Sequence, residues 1–345
     1  MSDRAAYFLR RILLIFPTFI GITFLTYLLT QFVPGGPVEQ AMMQMRGFDG
    51  SGVATRSESI SEEQREAIRA HFGFDKPFLI RYYDWLVVNK MGMTVDSYKY
   101  SNKTVWQLIS ERFPVSLTFG IAGFVLTYLI CIPLGIAKAL RNGSAFDLAS
   151  SVAVFTGYAI PAFAFGMLLK TVFSGTSEHF FDIFPIGGFR SEFFEEMSFW
   201  EKVKDQFMHM FLPVMCYVIG NFAVLTLLMK NSLLEQISQD YVRTVVAKGG
   251  SMKRAVWKHA LRNALIPIAT GFGGVLSIMF AGSVLIERVF NIPGMGLLSL
   301  EAIVGRDYMV FMGTLALTSI VALLGRVLSD FCYVLIDPRI SFNKG

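Results

Sequence analysis

Six stretches of the chain stay apolar for about twenty residues or more, the length a helix needs to cross a bilayer. They cover residues 12–32, 115–137, 148–173, 208–229, 264–286 and 309–336, with polar positions gathered between them. No series of ten-residue segments with alternating apolar and polar positions stands out, so the pattern predicts helices and not a closed barrel. The expected fold class is an all-α integral membrane protein with six transmembrane helices. Gly157, Pro161 and Gly166 punctuate the third span, and Gly271, Gly273, Gly274 and Gly282 the fifth. Such positions let a helix bend, and they equally let helices pack closely.

Charge placement orients these spans. Arg4, Arg10 and Arg11 precede the first, Lys138 and Arg141 follow the second, and a strongly basic loop follows the fourth. Short loops rich in Lys and Arg stay in the cytoplasm, which puts both termini there. Residues 174–207 carry Glu178, Asp182, Glu192, Glu195, Glu196, Glu201 and Asp205, an acidic loop expected on the opposite side. The composition, 53% hydrophobic and 17% charged over 345 residues, lies far from the roughly 25% charge of soluble domains. The net charge of +5 then reflects orientation, because no basic stripe interleaved with aromatics suggests nucleic acid. Arg10 and Arg11 could introduce a signal peptide, but the apolar run reaches Val33 and ends in Pro34-Gly35-Gly36-Pro37 without a small-x-small cleavage site. A retained span is expected.

The expected organisation is a cytoplasmic N-terminus and first span (1–33), a small extracytoplasmic helical subdomain (34–114), a five-span core (115–337) and a cytoplasmic tail (338–345). Within the subdomain, Ser61 and Gln64 fit a capping box, Glu62 and Glu63 suit a helix start, Gly73 a stop, and Pro77 the first turn of a helix through Trp85. Residues 47–59, rich in Gly, Ser and charge, predict a mobile link.

Chemistry is sparse. A phosphate-cradling G-x-x-x-x-G-K-[ST] loop is missing, since Lys248-Gly249-Gly250-Ser251 has the residue types in the wrong order. Any ATP hydrolysis belongs to another subunit. His71, His179, His209 and His259 form no pair spaced for zinc, and Ser116, Ser150, Ser151, Ser277 and Ser283 have no base at helical spacing. No metal site and no catalytic residue is expected. Cys131, Cys216 and Cys332 fall in apolar segments and are read as packing residues. Lys170, Lys230, Glu287 and Arg288 sit close enough to span ends to snorkel. Arg326 and Asp330 lie four apart in the last span, placed to pair with each other, to pair with another helix or to face a watery path. Asn221 and Thr226 could offer polar groups to a substrate or to a neighbouring helix.

The segment 239–267, QDYVRTVVAKGGSMKRAVWKHALRNALIP, is basic and helix-prone. Gly249 and Gly250 interrupt it, predicting two short helices with a bend. Tyr241, Arg243, Ala247, Lys248, Gly249, Lys253, Arg254 and Lys258 are its candidate contact residues, within a loop spanning 231–263. A surface helix of this kind suits a groove in another protein.

The segment resembles the cytoplasmic loop of ABC-importer permeases, in which Glu-Ala-Ala is followed three residues later by Gly. Here the run is Arg243-Thr244-Val245, with Gly249 in the glycine position and Ala247-Lys248-Gly249 as in the peptide-importer branch. FLRRILLIFPTFIGITFLTYLLTQFVPGGP near the start, IERVFNIPGMGLLSLEAIVGRDY at 286–308 and LIDPRI at 335–340 are similar to corresponding parts of dipeptide and oligopeptide permeases. The long first loop, with GGPVEQA, looks like the Yej-type branch, which imports oligopeptides and a peptide antibiotic. The resemblance implies an inner-membrane subunit of a bacterial importer that works by alternating access. It also implies a homologous second permease, two ATPase subunits carrying ATP and Mg²⁺, and an extracytoplasmic binding protein. Two other readings stay open: a stand-alone secondary transporter or channel using Arg326 and Asp330, and a structural scaffold.

Overall fold

The structure is a computed structural model, and it describes residues 3–32, 66, 76–100, 102–175, 181–271 and 282–336. Its regular elements among the described residues are helices. Four are long: α1 (Asp3–Thr30), α3 (Val105–Leu140), α6 (Phe199–Ile237) and α13 (Tyr308–Ile336), each with an apolar stretch long enough to span a membrane. Between them lie α2 (Phe78–Tyr83), which continues as a π turn over Asp84–Val88, then α4 (Ala145–Ala159) and α5 (Ala162–Phe173). The later short helices are α7 (Asp240–Ala247), α8 (Met252–Ala255), α9 (Leu261–Ala264), α10 (Ile266–Thr270), α11 (Val284–Val289) and α12 (Met295–Val304).

The third expected span forms two helices and not one. α4 and α5 meet at 93° because Pro161 offers no N–H and holds the preceding residue out of the helical region, with Ile160 at φ −91°, ψ 120°. The fifth expected span falls partly outside the described residues, as do Gly273 and Gly274 and the helix signals at Ser61, Gln64 and Gly73. Pro77 does precede a helix, as its position predicts.

The chain divides into two compact units, residues 1–12, 113–297 and 321–345 in one, and 13–112 with 298–320 in the other. In the first, α3 packs on α6 along a row of every fourth residue: Phe119, Gly123, Thr127, Cys131 and Gly135, all buried. A Cβ on Gly135 would stand 2.7 Å from the Thr226 carbonyl oxygen, and one on Gly123 2.9 Å from Tyr217 Cβ. Small residues at one-turn spacing therefore set how near the helices come. At one end of this unit Val115, Phe119, Leu212, Cys216, Ile286, Phe290 and Ile292 form a core; at the other, Ile136, Met229, Leu233, Val242, Val256 and Ala260 form a second.

In the second unit, Tyr27, Tyr82, Trp85, Met312 and Ala316 make the core. Tyr82 and Trp85 stack with centroids 5.9 Å apart, and the Thr23 and Tyr82 hydroxyls share a 2.8 Å hydrogen bond. Buried Asp307 accepts from Ser97 Oγ (2.5 Å), Lys99 N (3.1 Å) and Val310 N (3.2 Å), capping α13 and anchoring the 97–100 turn. Burial and a hydrogen bond to Glu301 push the nearby Tyr100 hydroxyl up to about 12.

Candidate docking surface and transport path

α7 ends at Lys248 and the chain turns at Gly249, whose φ of +83° is readily adopted only by glycine. Gly250 passes so close to Val245 that a Cβ would meet its carbonyl oxygen at 2.8 Å. The Ser251 hydroxyl then accepts from Arg254 N and caps α8, which runs through a π turn (Val256–Ala260) into α9. Val242, Ala255, Val256, Ala260 and Ala264 point inward against Met229 and Leu233 of α6 and Ile136 and Ala139 of α3. The module is thus bonded by its own apolar face to the ends of two long helices.

What it leaves outside is a mixed surface. Arg243, Ala247, Lys248, Gly249, Lys253, Arg254, Lys258 and Arg262 are exposed. So are Val246, Met252 and Trp257, the last with 51% of its surface free. Basic groups around exposed apolar side chains match the make-up of a protein interface. Sequence reading singles out the charges and misses Trp257 and Met252, although Trp257 lies within the same helical run. Tyr241 is placed differently from the other candidates: half-buried, it donates to Gln236 Oε1 (2.8 Å) and accepts from Asn263 Nδ2 (3.2 Å), bracing the module from within.

Next to this module three charges meet. Lys138 of α3 is wholly buried; its Nζ lies 3.0 Å from Asp147 Oδ1 and donates to Asp147 O, Ser150 Oγ and Ser151 Oγ. Lys230 of α6 donates to both Asp147 oxygens at 2.8 and 2.7 Å, and Gly143 N adds a third donor to the carboxylate. The expectation that Lys230 snorkels is therefore wrong: its side chain is only 14% exposed, because a carboxylate on α4 lies within its reach. Ser150 and Ser151 serve as polar partners here, beyond simple packing.

The path candidates separate. Asn221 lines a cavity of about 200 Å³ with Gly123, Phe124, Thr127, Tyr128, Tyr217 and Leu228. Thr226 is fully buried between α6 and α3 and does not line it. Asp330 pairs with Arg11 of α1 at 2.8 Å, not with Arg326, which is exposed. The neighbouring helix end supplies the nearer guanidinium. Among the described residues no group of three or more metal-binding side chains occurs.

Comparison with known proteins decides the family. Residues 131–342 match the model of the binding-protein-dependent transport system inner membrane component. The chain belongs to this family of transport permeases. An inner membrane ABC transporter permease protein YejB from Escherichia coli O157:H7 is 40% identical over 98% of this chain and 99% of its own. A YejB from Agrobacterium fabrum, named a peptidoglycan transport system permease protein, is 38% identical over the same shares. The dipeptide transport system permease protein DppB of Escherichia coli K12 is 33% identical, again over 98% and 99%. The permease matches these relatives along nearly its whole length, with α3 to α13 covering the family region.

Proposed function

We propose that this permease is a membrane subunit of a bacterial inner-membrane ABC importer that moves oligopeptides inward, powered by separate ATP-binding subunits. The observation that carries this reading is the module at 240–264, apolar where it meets α3 and α6 and basic with an exposed Trp257 where it faces outward. In this reading the module is cytoplasmic and lies in a groove of an ATPase subunit, where ATP and Mg²⁺ bind; ATPase closure pulls on it and tilts α3 and α6. The six apolar stretches and the placement of Lys and Arg support a six-span topology with both termini cytoplasmic, and in this reading residues 34–114 are outside and available to a substrate-binding protein.

The cavity beside Asn221, about 200 Å³, is smaller than the roughly 300–1,000 Å³ of a site that encloses a small ligand. It reads as one wall of a path completed by a homologous second permease. Gly120, Gly123 and Gly271 keep that wall close to backbone, a surface suited to peptides of varied sequence. The names of its relatives, an oligopeptide and a dipeptide transport system permease among them, support the substrate class. A stand-alone transporter using Arg326 and Asp330 is disfavoured, since Asp330 is engaged by Arg11. The reading is tested by purifying tagged protein from native membranes in mild detergent. Co-purifying ATP-binding subunits support it, and a lone chain that moves peptides in liposomes without ATP refutes it.

A further inference from the structure

Glu287 is 1% exposed, yet none of the ion pairs formed among the described residues involves it. The expectation that it snorkels fails because its carboxylate is enclosed by hydrogen-bond donors. Ser116 Oγ of α3 donates to Oε1 at 2.9 Å, and Leu297 N donates to Oε2 at 2.6 Å. The same Ser116 oxygen accepts from Met295 N at 2.7 Å. The first turn of α12 is thereby tied to Glu287 directly and to α3 through one hydroxyl, with the carboxylate at the helix end that favours negative charge.

The surroundings are shaped to admit this carboxylate. A Cβ on Gly282 would lie 2.2 Å from Oε1, one on Gly294 2.4 Å from Oε1, and one on Gly296 3.1 Å from Oε2. On either side of Glu287 in sequence, Ile286 and Phe290 enter the core formed with Val115, Phe119 and Leu212. Lys170 Nζ of α5 donates to the Val289 carbonyl and Gly188 N to that of Phe290, both at 2.8 Å. The segment 282–297 is thus held from α3, α5 and α6. A buried carboxylate without a cation is costly, and a well-packed apolar side chain would often be as stable. Its donors define a single register between α3 and the first turn of α12, which an apolar contact would leave free to slide.

We propose that Glu287 is a positioning residue for transport: through Ser116 it locks the 282–297 segment to α3, so that both move as one body and this segment is not the part that opens. The proposal rests on the ATP-driven reading only for the states to be compared. The test uses the assembled complex. Glu287→Gln and Ser116→Ala each lower peptide uptake, by roughly tenfold if one charge-assisted hydrogen bond is lost, and the double variant loses no more than the worse single one. A double variant whose loss is the product of the two overturns the shared bond. Independently of those variants, spin labels at Ile121→Cys on α3 and Leu285→Cys on α11, both exposed, are placed in a background with Cys131, Cys216 and Cys332 replaced by Ala. The label distance is expected to be the same without nucleotide and with ATP trapped. A distance that changes between those states shows a gate at this position and refutes the proposal. ATP hydrolysis on the same sample reports coupling separately, so either reading can fail alone.

Discussion

Trp257 projects from a basic surface with half its area free, and large exposed aromatics of this kind tend to carry much of an interface's binding energy. Trp257→Ala is expected to weaken association with the ATP-binding subunits by about 2 kcal/mol or more without unfolding the chain, since the side chain supports no core. Pull-down yield as a function of detergent and salt measures it. Asp147 is the opposite case. It neutralises two lysines that both reach it, and Asp147→Asn leaves Lys138, which has no exposed surface, without a counter-charge. A lower melting temperature of the purified complex and reduced uptake are expected, with Ser150 and Ser151 too weak to compensate. Neither residue stands out in the sequence. Lys138 reads there as an orientation charge and Lys230 as a snorkelling one, and nothing singles out Asp147, because only folding brings α3, α4 and α6 together at one point.

At the scale of elements, the row Phe119, Gly123, Thr127, Cys131 and Gly135 dictates how α3 meets α6. Gly135→Leu is expected to force the helices apart, at about 1–3 kcal/mol for overpacking, and to lower both thermal stability and uptake; Gly143→Ala, at a turn with nothing within 4 Å of a Cβ, serves to report the size of a purely conformational glycine effect. Much at this scale is legible in the sequence. Apolar length predicts the long helices, Gly249 and Gly250 predict the break after α7, and Pro77 predicts the start of α2. The sharp bend at Pro161 is legible only as a softening, since a proline marks where a helix breaks without giving the 93° angle. The π turn at Val256–Ala260 leaves no sequence mark, because its extra residue is absorbed within an otherwise ordinary helical run.

For the whole molecule, membrane character follows from composition, and family membership from segments spread along the chain. The location of the transport path does not. Asn221 and Thr226 are five residues apart on one helix, yet one lines a cavity and the other is buried against α3, a difference fixed by helix rotation. Arg326 and Asp330 share a helical spacing that suggests a pair, and a third residue, Arg11, takes the carboxylate instead. Glu287 looks like a residue at a span end and proves to be enclosed by three glycines. For Asp330 the deciding contact comes from a distant part of the sequence, as does the Ser116 hydroxyl that reaches Glu287. In the proposed function energy coupling unites these pieces: force applied to the exposed basic face of the 240–264 module would reach α3 and α6 through the core that Val242, Val256 and Ala260 share with Met229 and Leu233.

The most direct test of that coupling reconstitutes the complex purified with its ATP-binding subunits and measures peptide uptake with and without ATP, for the native chain and for Arg243→Glu, Lys253→Glu and Arg254→Glu combined. Uptake that needs ATP and is lost in the combined variant, together with association of the ATP-binding subunits, is the expected result. Uptake and association unchanged by the three charge reversals would contradict the account.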